Sequence, residues 1–174
     1  MLLFKTTSMF IVLVLIQACG FRPLYGDGTP GSATPEFALI KVLPIPDRVG
    51  QQLRNHLLTA FNPKKRTGRS QFILKTNVNE SITSLAVKKS AFATRANLTI
   101  SANFQLSNSA GSQNIFSSKR SITVSYNILD SEFATLMAEK NARQRAVREL
   151  SADIRTQLGV YFSQAQAAIR KRGP

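Results

Sequence analysis

The sequence has few of the residues on which most catalytic and metal sites depend. Its 174 residues include one cysteine, one histidine, nine acidic residues and no tryptophan. A single cysteine excludes an internal disulfide framework and a multi-cysteine metal site. No phosphate-binding loop, zinc-ligand spacing or nucleophile elbow is visible, and nothing marks the lone His56 as a ligand or a base. The sequence therefore does not indicate an enzyme.

The charge is strongly one-sided. Twenty-three lysines and arginines give a formal net charge of +14, which predicts attraction to an anionic partner: nucleic acid, an anionic polysaccharide or lipid phosphates. Charge alone does not choose among these partners. Nucleic-acid binding would need aromatic platforms or a groove-reading helix, whereas the Phe and Tyr residues mostly follow core periodicities. We therefore expect no nucleic-acid partner.

Residues 1–18 have the pattern of a secretory signal peptide, with Lys5 before an apolar run of eight residues, Met9 to Ile16. Eight helical residues span about 12 Å, whereas a bilayer core is about 30 Å thick. Ile16 and Ala18 lie three residues and one residue before Cys19, which resembles a bacterial lipobox. Cys19 would then begin the mature protein and carry covalent lipid. The alternative is an uncleaved signal anchor in which Cys19 is not modified.

The rest of the chain divides into a tether, a domain and a tail. Residues 19–36 are rich in Gly, Pro, Ser and Thr, which predicts a flexible lipid-anchored tether. Residues 37–169 predict the folded domain, and residues 170–174 a basic tail. A short first strand precedes Pro44, and Asp47 occupies the position of an N-cap. The helix that follows has apolar residues at four-residue spacing: Val49, Leu53, Leu57 and Phe61.

Three strands and a long helix follow. Apolar residues alternate with polar ones from Phe72 onward, which predicts a strand that extends toward 82–88. The same alternation recurs over 96–106 and over 115–126, and each of these strands has one apolar face. From about Ser131 the period is helical, with Glu139 and Arg143 in a favourable i, i+4 pair. The order is βαβββα. We expect an α+β two-layer sandwich, in which two helices cover one face of a four-stranded sheet.

The basic residues of the strands are the candidate binding residues. Lys88, Lys89 and Arg95 flank the predicted turn between two strands, and Lys119 and Arg120 lie on the last strand. We expect them to form a cluster at one edge of the sheet. The alternative is that they are solvated side chains that keep the protein soluble.

Two stretches resemble a known family: CGFRPLYG, which begins at Cys19, and SEFATLMAEKNARQRAVRELSADIRTQL, which begins at Ser131. They are similar to the lipopolysaccharide-assembly lipoprotein family LptE, particularly its alphaproteobacterial form. The resemblance implies a lipoprotein, lipid-anchored at the periplasmic face of the outer membrane, that plugs the LptD β-barrel and binds lipopolysaccharide without covalent chemistry. It also implies ligand-binding basic residues in the turn, at Lys88 or Lys89 with Arg95, and at Lys140. No cofactor is expected apart from the lipid on Cys19.

Two other functions are compatible with the residues alone. A general periplasmic scaffold would hold many anionic polymers with similar affinity and a steep salt dependence. A secreted hydrolase would use dispersed carboxylates, and one Asp or Glu substitution would abolish its activity.

Replacing Cys19 by alanine tests the anchor. We expect the Cys19→Ala chain to carry no lipid, because the sulfur that would be acylated is gone, and fatty-acid labelling of cells measures this directly. If inhibition of lipoprotein processing leaves the mobility and the membrane fraction of the wild-type protein unchanged, the anchor hypothesis is wrong.

Overall fold

The structure, a computed structural model, describes residues 34–62, 69–87, 93–109 and 113–172. The predicted signal peptide, Cys19 and most of the predicted tether lie outside these residues. Within them the chain forms three helices and four strands: α1 (Thr34–Phe37), β1 (Ile40–Val42), α2 (Asp47–Phe61), β2 (Phe72–Val87), β3 (Ala93–Asn108), β4 (Asn114–Asn127) and α3 (Glu132–Arg172).

The strands form one mixed sheet in the order β1-β2-β3-β4. β1 is parallel to β2 over three pairs, from Ile40 opposite Phe72 to Val42 opposite Leu74. β2, β3 and β4 are antiparallel neighbours along most of their length. Helices α2 and α3 pack on one face, so the predicted two-layer α+β sandwich with its βαβββα core is confirmed.

The apolar core lies between the helices and β3. The inward residues of β3 that the sequence pattern predicted are all buried: Leu98, Ile100, Ala102, Phe104 and Leu106. Alternate residues of β3 point to opposite faces, which leaves the intervening polar side chains on the other side of the sheet. The predicted extension of β2 beyond residue 82 is confirmed, since the strand continues to Val87.

Helix α2 begins at Asp47, one position earlier than an Asp47 N-cap requires. Pro46 occupies the N-cap position without a side-chain cap, and Asp47 is the first helical residue with a φ of 64°. An N-cap residue is extended, whereas this left-handed conformation, which Asp tolerates better than most residues, takes the carboxylate out of the capping geometry. Leu53, Leu57 and Phe61 are buried as predicted, and Val49 is partly buried.

Helix α3 has 41 residues and a length of about 60 Å. Its predicted apolar face is confirmed: Val147, Leu150, Ile154 and Leu158 are fully buried, and Tyr161 packs against the core. The helix continues through Gly159 to Arg172, so residues 170–172, which the sequence suggested as tail, are helical. None of the described helices is long and apolar enough to cross a membrane.

The start of the described chain packs on the C-terminal half of α3. Phe37 stacks on Phe61 with ring centroids 5.2 Å apart and meets the edge of Phe162 at 6.1 Å. The Gln166 amide donates a hydrogen bond to Glu36. These contacts explain why residues 34–36, predicted as the end of the tether, belong to the helical segment α1 instead.

Gly50 tests the packing between α2 and the segment that precedes it. A Cβ at this position would lie 2.5 Å from Ile45 Cγ2 and 3.2 Å from the Ile45 carbonyl carbon, and Ile45 is itself buried. We expect Gly50→Ala to lower the free energy of unfolding by about 1–3 kcal/mol, because overpacking outweighs the better helix propensity of alanine.

The matched control for Gly50→Ala is Gln51→Ala at the exposed neighbouring position, for which we expect a change of at most about 0.5 kcal/mol. Urea denaturation of both variants measures the difference. A Gly50→Ala protein as stable as the wild type would show that Ile45 is free to move away.

Candidate functional site

Large apolar side chains are exposed at the end of the sheet where the β2–β3 hairpin turns. Phe133 and Leu136 are 75% and 65% exposed. We call the set the hairpin-end apolar cluster: Ile82, Leu85, Leu129, Phe133, Leu136 and Met137. Monomeric proteins rarely expose contiguous apolar surface without a function, so this end of the molecule is a candidate binding surface.

The position of α3 explains why the cluster is uncovered. α3 begins five residues after β4 ends and runs back along the sheet, so its first turns lie at the hairpin end. Arg143 of α3 contacts Glu80 of β2, so these two residues lie at the same level along the sheet. Phe133 lies about 15 Å from Arg143 toward the start of α3. A distance of about 15 Å from Glu80 toward the hairpin reaches Leu85, so Phe133 and Leu85 lie at a similar level. α2 begins beside residues 136–144 of α3, so it does not extend over the first turn.

An ion-pair network fixes α3 against β2. The Arg143 guanidinium donates to both carboxylate oxygens of Glu80, with Nη2 to Oε1 at 2.7 Å and Nε to Oε2 at 2.9 Å. Its Nη2 also donates to Glu139 Oε1 at 2.6 Å. The predicted Glu139–Arg143 pair is therefore confirmed. Glu80 could not be predicted as its third member, because 63 positions separate it from Arg143.

The network also affects protonation. The hydrogen bonds that Arg143 donates to Glu80 are the main cause that raises the pKa of Arg143, so its guanidinium remains charged. Burial, followed by the nearby Glu139 carboxylate, raises the pKa of Tyr126 above its ordinary value of 10.0. A tyrosine with a raised folded-state pKa stabilises the fold below about pH 10, and this contribution is lost as the pH rises through the folded pKa.

Lys140 lies next to this network and is exposed. It lines a small open pocket of about 90 Å³ together with residues of α2 and α3: Arg48, Gln52, Leu136, Glu139, Arg143 and Gln144. Small-molecule sites usually measure about 300–1,000 Å³. The pocket is too small to enclose a ligand, and Lys140 is instead a cation beside the hairpin-end apolar cluster.

The described basic residues Arg95, Lys119 and Arg120 do not come together in the predicted cluster at one sheet edge. Arg95 pairs with Asn127 and Lys119 with Asn103, which places them about 27 Å apart along the sheet. Arg120 points to the helix side, where its Nε lies 3.6 Å from Asp153 Oδ2. Strand alternation separates Lys119 from Arg120, and the length of β3 separates both from Arg95. Lys88 and Lys89 lie outside the described residues.

The side of the sheet away from the helices, which we call the open face, is mostly polar. It carries hydroxyl and amide side chains at alternate positions of β2, β3 and β4, with four cations: Lys41, Lys75, Arg95 and Lys119. Two of these cations, Lys41 and Lys75, were not among the predicted site residues. Their alternation with buried neighbours in the strands was the available signal.

Comparisons with known proteins agree with this architecture. A family model described as LptE: Lipopolysaccharide-assembly matches residues 37–158. Among solved structures, a protein of Caulobacter crescentus CB15 described as a lipoprotein has a TM-score of 0.60 at 18% identity, over 75% of this chain and 96% of that one. No curated protein matches the chain.

Two further solved structures share the fold. Rare lipoprotein B from Shewanella oneidensis has a TM-score of 0.55 at 10% identity and covers 72% of this chain and 99% of its own. A minor lipoprotein from Acinetobacter baumannii has a TM-score of 0.52 at 16% identity, with coverages of 70% and 92%. At these identities the structural matches establish the shared fold.

Glu80→Gln tests whether the ion-pair network holds α3 in place. We expect the free energy of unfolding to fall by about 1–2 kcal/mol, because glutamine keeps one hydrogen bond to Arg143 and loses the charged two-point contact. Glu149→Gln, at an exposed position of α3, is the control and should change it by at most about 0.5 kcal/mol. Equal losses in the two variants, measured by urea denaturation, would contradict a structural role for Glu80.

Proposed function

The chain belongs to the LptE family of lipopolysaccharide-assembly proteins, and we propose that it acts there as an outer-membrane lipoprotein that binds lipopolysaccharide and plugs an LptD-like β-barrel. In this role it is held at the periplasmic face by lipid on Cys19 and accompanies lipopolysaccharide toward the outer leaflet. No bond of the substrate is made or broken, so the role requires binding surfaces rather than a catalytic centre.

The hairpin-end apolar cluster is the observation that carries lipopolysaccharide binding. Lipopolysaccharide combines acyl chains with anionic groups, and a matching surface needs exposed apolar side chains next to cations. Phe133 and Leu136 supply apolar area, and each buried methylene contributes about 0.8 kcal/mol. Lys140 lies one helical turn from Leu136. Arg95 lies near the start of β3, at the same end of the sheet but on its other face. Lys and Arg bind phosphate and carboxylate groups by charge-assisted hydrogen bonds.

The lipobox-like sequence that ends at Cys19 supports the proposed location. The chain between Cys19 and Thr34, if fully extended, could span at most about 50 Å. This length would allow the domain to reach a partner in the same membrane while acyl chains on Cys19 remain in the bilayer. Two or three acyl chains anchor a protein durably, whereas one gives only marginal binding.

The double substitution Phe133→Ala with Leu136→Ala tests lipopolysaccharide binding. We expect the affinity of the detergent-solubilised, full-length protein for lipopolysaccharide to fall about tenfold, which corresponds to about 1.4 kcal/mol of lost apolar contact. Both side chains are exposed, so the fold should be unaffected. Fluorescence titration with labelled lipopolysaccharide measures the affinity.

Ile169→Ala is the matched control, since Ile169 is 73% exposed but lies near the other end of α3. It should bind lipopolysaccharide like the wild type. Equal affinities of the double variant and the wild type would contradict the assignment of this surface. Affinity purification from solubilised outer membranes examines the barrel separately, and the absence of a large β-barrel from every preparation would refute the plug role.

A further inference from the structure

The open face differs in charge from the rest of the described domain. The four strands contain one acidic residue, Glu80, and its carboxylate points to the helix side and binds Arg143. The remaining acidic residues of the described segments lie on helices or in the loop before α3. The open face therefore carries Lys41, Lys75, Arg95 and Lys119 without a compensating negative side chain on any described strand.

Lys41, Lys75 and Lys119 form an oblique row across the sheet, near the end of the strands that is opposite to the β2–β3 hairpin. Lys41 is level with Ile73, so Lys75 is two residues further along the neighbouring strand. Lys119 is level with Asn103 and, through it, with Asn77. The Cα atoms of Lys75 and Lys119 are then about 12 Å apart, two strands across and two residues along. Anionic groups carried at such intervals on one chain could contact both lysines.

Between the cations the surface consists of small hydrogen-bonding groups. The Thr99 and Thr123 hydroxyls share a hydrogen bond of 2.9 Å, and the Ser125 hydroxyl donates to Asn97 Oδ1 at 2.6 Å. Hydroxyl and amide groups both donate and accept. A ligand that is rich in hydroxyl groups could therefore form hydrogen bonds along most of β3 and β4.

This composition favours a sugar over other partners. The cores of protein interfaces are enriched in aromatic residues, Met and Arg and depleted in Lys and Ser, which is the opposite of the open face. Single-stranded nucleic acids stack on aromatic side chains, and the described part of this face has none. A bilayer would require a large apolar area, whereas strand alternation places few apolar side chains, such as Ile73 in β2, on this face.

We propose that the open face binds the anionic saccharide portion of lipopolysaccharide, with Lys75 and Lys119 contacting its phosphate or carboxylate groups and the Ser, Thr and Asn side chains its hydroxyls. This inference rests on the proposed function and adds a second contact surface to it. The acyl chains contact the hairpin-end apolar cluster, mainly through Phe133 and Leu136 of α3, and the sugar contacts the side of the sheet away from the helices.

The double substitution Lys75→Gln with Lys119→Gln in the full-length, detergent-solubilised lipoprotein tests the inference. The probe is deacylated lipopolysaccharide oligosaccharide that retains its phosphates. We expect about fivefold weaker binding by calorimetry, because two exposed charge contacts are lost. Both lysines are exposed, so folding should not change. After dephosphorylation the same oligosaccharide should bind the wild type more weakly, and the difference in affinity between the wild type and the variant should become smaller.

The control removes the same charge from the helix layer, through Arg145→Gln with Arg148→Gln at exposed positions of α3. It should bind the phosphorylated oligosaccharide like the wild type. Wild-type affinity of the Lys75/Lys119 variant would overturn the proposal, and so would an equal loss in the arginine control. A Lys75/Lys119 variant that loses a copurifying barrel but keeps its oligosaccharide affinity would instead identify the open face as a protein interface.

The two proposals fail separately. If the wild-type protein bound neither intact lipopolysaccharide nor a barrel, the proposed function would be wrong. If intact lipopolysaccharide still bound through Phe133 and Leu136 while the oligosaccharide affinity did not depend on Lys75 and Lys119, only the open-face inference would fall.

Discussion

The structure depends on the packing of one apolar face of α3 on β3 and β4. Leu150, Ile154 and Leu158 of α3 are fully buried, as are Ile100 and Phe104 of β3. Burial of each such side chain stabilises the fold by about 1.5–3 kcal/mol. A single helix of about 60 Å therefore covers one face of the sheet, and the short α2 covers only part of the same layer. Every other surface of the described domain follows from this arrangement.

Two surfaces of different chemistry result. Where α3 begins, α2 does not extend over its first turn, and the hairpin-end apolar cluster stays exposed. Where both helices are absent, the open face presents hydroxyls, amides and cations. The Arg143–Glu80 contact sets the position of the first surface, because it fixes α3 along β2 at one level. An amphiphilic anionic lipid has groups that match both surfaces, which is why lipopolysaccharide assembly agrees with the fold.

The sequence predicted most of the architecture because local period determines it. Two spacings predicted buried faces: the alternation from Leu98 to Leu106 and the three-and-four spacing from Val147 to Leu158. The burial of both faces is confirmed. The spatial grouping of the basic residues was not predictable in the same way. Whether Arg95 and Lys119 meet depends on strand length and register, and Glu80 reaches Arg143 only through the tertiary fold. Binding roles for Arg95, Lys119, Arg120 and Lys140 remain predictions.

Hydrogen–deuterium exchange of the full-length lipoprotein, with and without lipopolysaccharide, tests the central claim most directly. Binding at the hairpin end predicts slower amide exchange in residues 82–87 of β2 and in residues 132–140 of α3. The amides of residues 163–169, at the other end of the helix, should exchange at the same rate in both states. Protection confined to residues 163–169, or none at saturating lipopolysaccharide, would contradict the account.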